Sequence, residues 1–195
     1  MTRIQYVMAV VVFSAGGHVS ADDVNIHASK EFVRWSHATS GYSIEHPIDW
    51  QPHAQAARTN IGSDNGLVAA GRGFRTIYGV IIAIVDDPLA TSPDRTLEAS
   101  SRAVVDGILK RNGHLSLTSP LAADAPLAGA PAFRAVAGGT SPVTGHAERA
   151  EVICRTYDGS QLLYVIFACP DARCGELAAT FGRMRQSLQV NAAAR

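Results

Sequence analysis

The first place in the chain where residue types could do chemistry is the grouping Glu45-His46, Asp49 and His53. Two imidazoles and a carboxylate are the ligand types of an open three-ligand transition-metal site. They would bind an ion only if a strand and the turn at Pro47 bring them to one side. The preferred reading is that His46, Asp49 and His53 are unrelated polar residues around a turn, so neither a metal nor another cofactor is expected.

Cysteine chemistry is concentrated late in the chain, at Cys154, Cys169 and Cys174. In an oxidising compartment two of three thiols are expected to be bridged. Cys169-Pro-Asp-Ala-Arg-Cys174 encloses four residues, so this pair can close a small loop between two elements. Cys154 lies in an apolar, strand-like stretch and reads as a buried small hydrophobe. A zinc site would need a second close-spaced ligand pair, and the sequence has none.

The remaining polar clusters have structural explanations. A serine nucleophile needs a base and an oxyanion hole, and no Gly-x-Ser-x-Gly elbow is present. Gly71-Arg72-Gly73-Phe74-Arg75 offers backbone amides and arginines but precedes a strand, whereas phosphate-cradling loops follow one and open a helix. Asp86-Asp87-Pro88 supplies two acids where a calcium site needs six to eight oxygens. The expectation is therefore a protein that is not an enzyme.

Those residues must be carried by elements, and the chain is punctuated clearly. Met1 to Ala21 has a charged start at Arg3, a short apolar run from Ile4 to Phe13 and a small-residue end at Val19-Ser20-Ala21, the three parts of a cleavable signal peptide. The run is too short for a membrane anchor, so export with cleavage after Ala21 and no later membrane insertion is expected. Residues 22–40 form a polar lead-in with a first strand at Glu31–Trp35, 41–190 one folded domain, and 191–195 a tail. With 17 basic and 17 acidic side chains and no block of like charge, the electrostatic term that drives nucleic-acid binding is missing.

Tyr42–His46 reads as a strand stopped by Pro47, followed by a turn carrying Trp50. Asp64-Asn65-Gly66 predicts a hairpin over Thr59–Ala70. Thr76–Val85 is an almost unbroken run of strand formers, the mark of a central strand covered on both faces. Ser92-Pro93-Asp94 reads as a helix start. Leu97, Val104, Val105, Ile108 and Leu109 share one face of that helix, and Asn112-Gly113 ends it. A strand at Leu115–Thr118 is followed by an Ala/Pro-rich loop to Leu127 and another strand from Gly129. Asp158-Gly159 joins a long hairpin, and a last helix runs from Gly175 to Ser187. Strands, a helix, more strands and a helix predict an α+β fold.

Tyr42-Ser43-Ile44-Glu45-His46-Pro47-Ile48-Asp49-Trp50 resembles the opening of the PsbP/Mog-like α/β/α sandwich domains. Four further motifs occur in the order found in the C-terminal accessory domain of some bacterial periplasmic zinc metallopeptidases. They are Gly79-Val80-Ile81-Ile82, Thr96-Leu97-Glu98, Leu127-Ala128-Gly129-Ala130-Pro131-Ala132 and Asp158-Gly159-Ser160-Gln161-Leu162-Leu163-Tyr164. The peptidases' zinc-binding His-Glu-x-x-His is absent, so their activity does not carry over. The resemblance implies an antiparallel sheet flanked by helices and a noncatalytic periplasmic accessory module that docks another exported protein, whose identity the sequence does not name. A second expectation is a small-ligand carrier with Trp50, Tyr78 and Tyr164 walling a pocket between sheet and helices. A third, a cryptic hydrolase, requires Ser or Cys, His and carboxylate side chains to converge.

Overall fold

A computed structural model describes residues 26–55, 58–63, 67–69, 74–76, 78–142 and 144–191. The segment read as a signal peptide, the turn at residues 64–66 and the glycines at 71 and 73 lie outside the described residues.

The apolar run of the sequence forms strand β7, Gly79–Asp86, near the middle of a seven-stranded antiparallel sheet. Its strands are β3 (Trp50–Gln55), β4 (Arg58–Ser63), β7, β8 (Leu115–Leu127), β9 (Ala130–Thr140), β10 (Ala147–Thr156) and β11 (Gln161–Pro170). They stand in the order β3-β4-β7-β11-β10-β9-β8. A second sheet places β2 (Tyr42–Pro47) between β1 (Phe32–Ser36) and β12 (Gln189–Val190), and β5 (Leu67–Ala69) pairs with β6 (Phe74–Thr76).

Each face of the large sheet is apolar because strand side chains alternate. Val80, Ile82 and Ile84 of β7 join Leu163, Val165 and Phe167 of β11 on one face, against Leu177 and Met184 of helix α2 (Cys174–Ser187) and Leu188, which caps its end. The opposite face sets Leu162, Tyr164 and Ile166 against Val104, Val105 and Ile108 of helix α1 (Leu97–Arg111). Fully buried aliphatic side chains such as Leu163 and Leu177 contribute about 1.5–3 kcal/mol each relative to exposure. The expected α+β class, an antiparallel sheet with a helix on each face, is what the chain adopts.

Local chemistry explains where the elements differ from the sequence reading. Trp50 does not sit in a turn; it begins β3, and the hairpin is β3 with β4 rather than Thr59–Ala70. Pro52 conceals this strand, yet proline is tolerated at a sheet edge, which is where β3 lies. The expected Ala/Pro-rich loop is the second half of β8, the other edge, where Pro120 and Pro126 fall among three register shifts. The helix starts later than Ser92: the Thr96 hydroxyl accepts from the Ala99 amide at 3.0 Å, while Ser92 closes a turn by accepting from Asp94. Gly79, with φ +125°, enters β7 so close to β4 that a Cβ there would meet the Ile61 carbonyl oxygen at 2.2 Å.

Candidate functional site: a groove beside the second helix

Helix α2 covers β7 and β11 but leaves part of the same face bare. On β10 the apolar Ile153 gives way to Glu151 and Arg149, and β9 presents Arg134, Val136 and Gly138 beside them. On the facing side of α2 stand Ala178 and Gly182, too small to close the gap. The result is an open groove of about 750 Å³. A second hollow of about 500 Å³ shares Gly182 and Arg185 with it and continues toward the Ala128-Gly129 turn.

The groove has an apolar wall and an ion-paired floor. Phe181 packs against Phe167 at 5.1 Å between ring centroids, and both line the wall. On the floor the Arg134 guanidinium donates to Glu151 at 2.7 Å, which holds it above its usual pKa. Arg185 lies 3.0 Å from Asp124 and 3.9 Å from Glu151, and it also donates to the Ala125 carbonyl. Arg149 pairs with Asp171 at 2.7 Å. Charges of both signs are thus held in place across the floor.

One end of the groove carries a polar network. Glu148 receives hydrogen bonds from Tyr78 at 3.1 Å and His114 at 2.7 Å, and the Tyr78 hydroxyl also lies 3.4 Å from that of Thr144. Burial raises the Tyr78 phenol, and the neighbouring Glu148 charge adds to the effect. At the same end stands the Cys169–Cys174 disulfide, joining β11 to the first residue of α2 and lining the groove.

The residues singled out in the sequence fall elsewhere. Trp50 is fully buried and stacks edge-on with Phe181 at 6.1 Å. Tyr78 belongs to the same core cluster, whereas Tyr164 lies in the cluster on the opposite face of the sheet. All three are core side chains, and none of them lines either hollow.

His46, Asp49 and His53 do not converge either. His46 is buried, its Nδ1–H donates to the Pro47 carbonyl at 2.7 Å, and burial lowers its pKa. Asp49 pairs with His27, and His53 is exposed on β3. Among the described residues no group of three or more His, Cys, Asp or Glu side chains is arranged to hold a metal ion.

The described histidine contacts involve no nucleophilic side chain. His27 meets Asp49, His114 meets Glu148, His46 meets a carbonyl, and His37 accepts from the Thr39 and Ser40 amides. Cys154 is fully buried on the α1 face, and burial pushes its thiol up to about 12. A thiol so held is a poor nucleophile.

Sequence reasoning passed over Arg134, Glu151, Asp124 and Arg185. Arg149-Ala150-Glu151-Val152-Ile153-Cys154 did hold a signal: Ala150, Val152 and Cys154 keep one face apolar, while on the other Arg149 and Glu151 give way to Ile153. That change marks where the cover of α2 ends.

No protein-family model matches the sequence, and no curated protein matches it. Among solved structures, the chain is similar to the solution structure of cyanobacterial PsbP (CyanoP) from Synechocystis sp. PCC 6803. The identity is 12%, with 82% of this chain and 92% of that one covered and a TM-score of 0.54. It is also similar to LpqN of Mycobacterium tuberculosis, described as involved in cell envelope biogenesis. There the identity is 13%, the coverage 90% and 99%, and the TM-score 0.51. The chain has a PsbP-like α+β fold. Its likeness to the accessory domain of zinc peptidases rests on the sequence motifs alone.

Proposed function

We propose that this chain is an exported, noncatalytic accessory module that docks a segment of another exported protein in the groove beside α2. The groove itself carries the reading. It is open to solvent, apolar on one wall and fixed in charge on its floor, and such a mixture suits a polypeptide segment better than a small apolar ligand. Export is supported by the signal-like residues 1–21 and by the disulfide. The involvement of LpqN in cell envelope biogenesis fits an envelope setting. The contacts of His27, His37, His46 and His114 and the buried thiol of Cys154 support a noncatalytic role.

Site-specific photo-cross-linking tests this. A photoreactive residue placed at Ala178 in the full-length exported chain is expected to yield a discrete adduct with another exported protein, and one at Arg102 on the exposed side of α1 none. No adduct at Ala178, or equal adducts at both positions, would contradict the reading.

A further inference from the structure

We propose that the Cys169–Cys174 disulfide is a thiol-exchange site opening into the groove, with Cys174 the sulfur that an incoming thiolate attacks and Cys169 the sulfur that resolves the product. This does not depend on the docking reading, because a small dithiol suffices to test it.

The two sulfurs are placed unequally. Both residues line the groove, but Cys169 is only 4% exposed and belongs to the core cluster, whereas Cys174 is partly exposed at the start of α2. Cys174 Sγ lies 3.2 Å from the Pro170 carbonyl oxygen and 3.6 Å from that of Cys169, so it is access rather than thiolate stabilisation that directs attack to Cys174.

The surrounding charges do not oppose this. Arg149 lies opposite Cys169 in the β10–β11 register and so on the same face of the sheet. The nearby carboxylates are each matched by an arginine, Asp171 by Arg149 at 2.7 Å and Glu176 by Arg173 at 2.8 Å. The helix does not need the bond to stay in place, since Leu177, Met184 and Leu188 are buried in the core. A four-residue loop also costs little to close again.

The exchange balances with a dithiol as the reductant. One thiolate of the dithiol bonds to Cys174 Sγ, the bond to Cys169 Sγ breaks, and Cys169 leaves as a thiolate that takes up a proton. The second thiol, deprotonated, attacks its own mixed sulfur and releases Cys174 as a thiolate, which is protonated in turn. The dithiol loses two electrons and becomes a disulfide, while the chain gains two thiols. A partner carrying a single thiol would stop at the mixed disulfide until Cys169 expels it.

Two measurements on the full-length chain test the assignment. In the first, the folded protein is treated with dithiothreitol and then alkylated. The expected result is two alkylated cysteines, 169 and 174, at denaturant-free conditions with the circular dichroism spectrum intact and Cys154 unmodified. Alkylation that appears only once the chain unfolds would overturn the proposal. In the second, Cys169→Ser is expected to react with an aromatic disulfide reagent about tenfold or more faster than Cys174→Ser. A smaller ratio, or the reverse order, would overturn the assignment of Cys174 as the attacked sulfur.

Discussion

Asp87 shows how much one buried carboxylate can hold together where a strand ends. Its side chain is almost fully buried, its Oδ1 accepts from the Leu89 amide at 2.9 Å, and its Oδ2 accepts from Arg95 at 2.6 Å. Burial alone would raise its pKa, but the Leu89 amide, the Ser100 hydroxyl and Arg95 together hold it below the usual aspartate range. A depressed carboxyl contributes stability that is present above its unfolded pKa, about 3.9, and is lost as pH falls through the lower folded value. Asp87→Asn is therefore expected to cost about 1–3 kcal/mol at neutral pH, with the deficit shrinking below about pH 4 as the wild-type carboxyl protonates. Urea unfolding of both proteins at neutral and acidic pH checks the sign; a deficit independent of pH would contradict it. The sequence showed Asp87 only as one of two adjacent acids, too few for a calcium site. It could not show that Arg95, eight residues on, would return to it. The sequence reading makes Trp50, Tyr78 and Tyr164 walls of a pocket between sheet and helices; that they are buried, and on which sheet face, depended on strand register.

At the scale of elements, α2 has one position that its own stability does not explain. Gly182 stands inside the helix, and a Cβ built there meets nothing within 4 Å. Glycine in a helix interior costs about 1 kcal/mol relative to alanine. Gly182→Ala is therefore expected to raise stability by about that amount, read as an increase in the urea midpoint with an unchanged slope. A fall in the midpoint would mean that the space beside Gly182 is not open. The same helix was readable in advance, because Leu177, Phe181, Met184 and Leu188 repeat at helical spacing. Strand β7 was readable as an unbroken run of strand formers, and β10 with β11 through Asp158-Gly159. The edge strands were not. Pro52, Pro120 and Pro126 are breaker signals in sequence, and only position at a sheet edge makes them compatible with β3 and β8. Those same prolines, with the register shifts of β8, suit edges that do not recruit further strands.

Taken as a whole molecule, the fold is built as two unequal covers on one sheet. Helix α1 packs over the β10 and β11 side chains of one face. On the other, α2 and the β1-β2-β12 sheet cover the central strands and leave β8 to β10 to line a groove. The layered α+β class was legible because alternating and continuous apolar runs specify layers. The groove was not, because it arises where covering stops, and Arg134, Glu151, Asp124 and Arg185 come from four elements that meet only after folding. Its occupancy is the central claim, and Gly182 allows it to be tested without disturbing the core. Replacing Gly182 with Phe fills the groove from a position with open space around it. In side-by-side affinity capture from the exported fraction, with circular dichroism confirming the fold, the wild-type chain is expected to retain the protein cross-linked at Ala178. Gly182→Phe is expected to retain about tenfold less or lower, the loss that corresponds to about 1.4 kcal/mol of binding. Equal retention by the two chains would contradict docking in this groove.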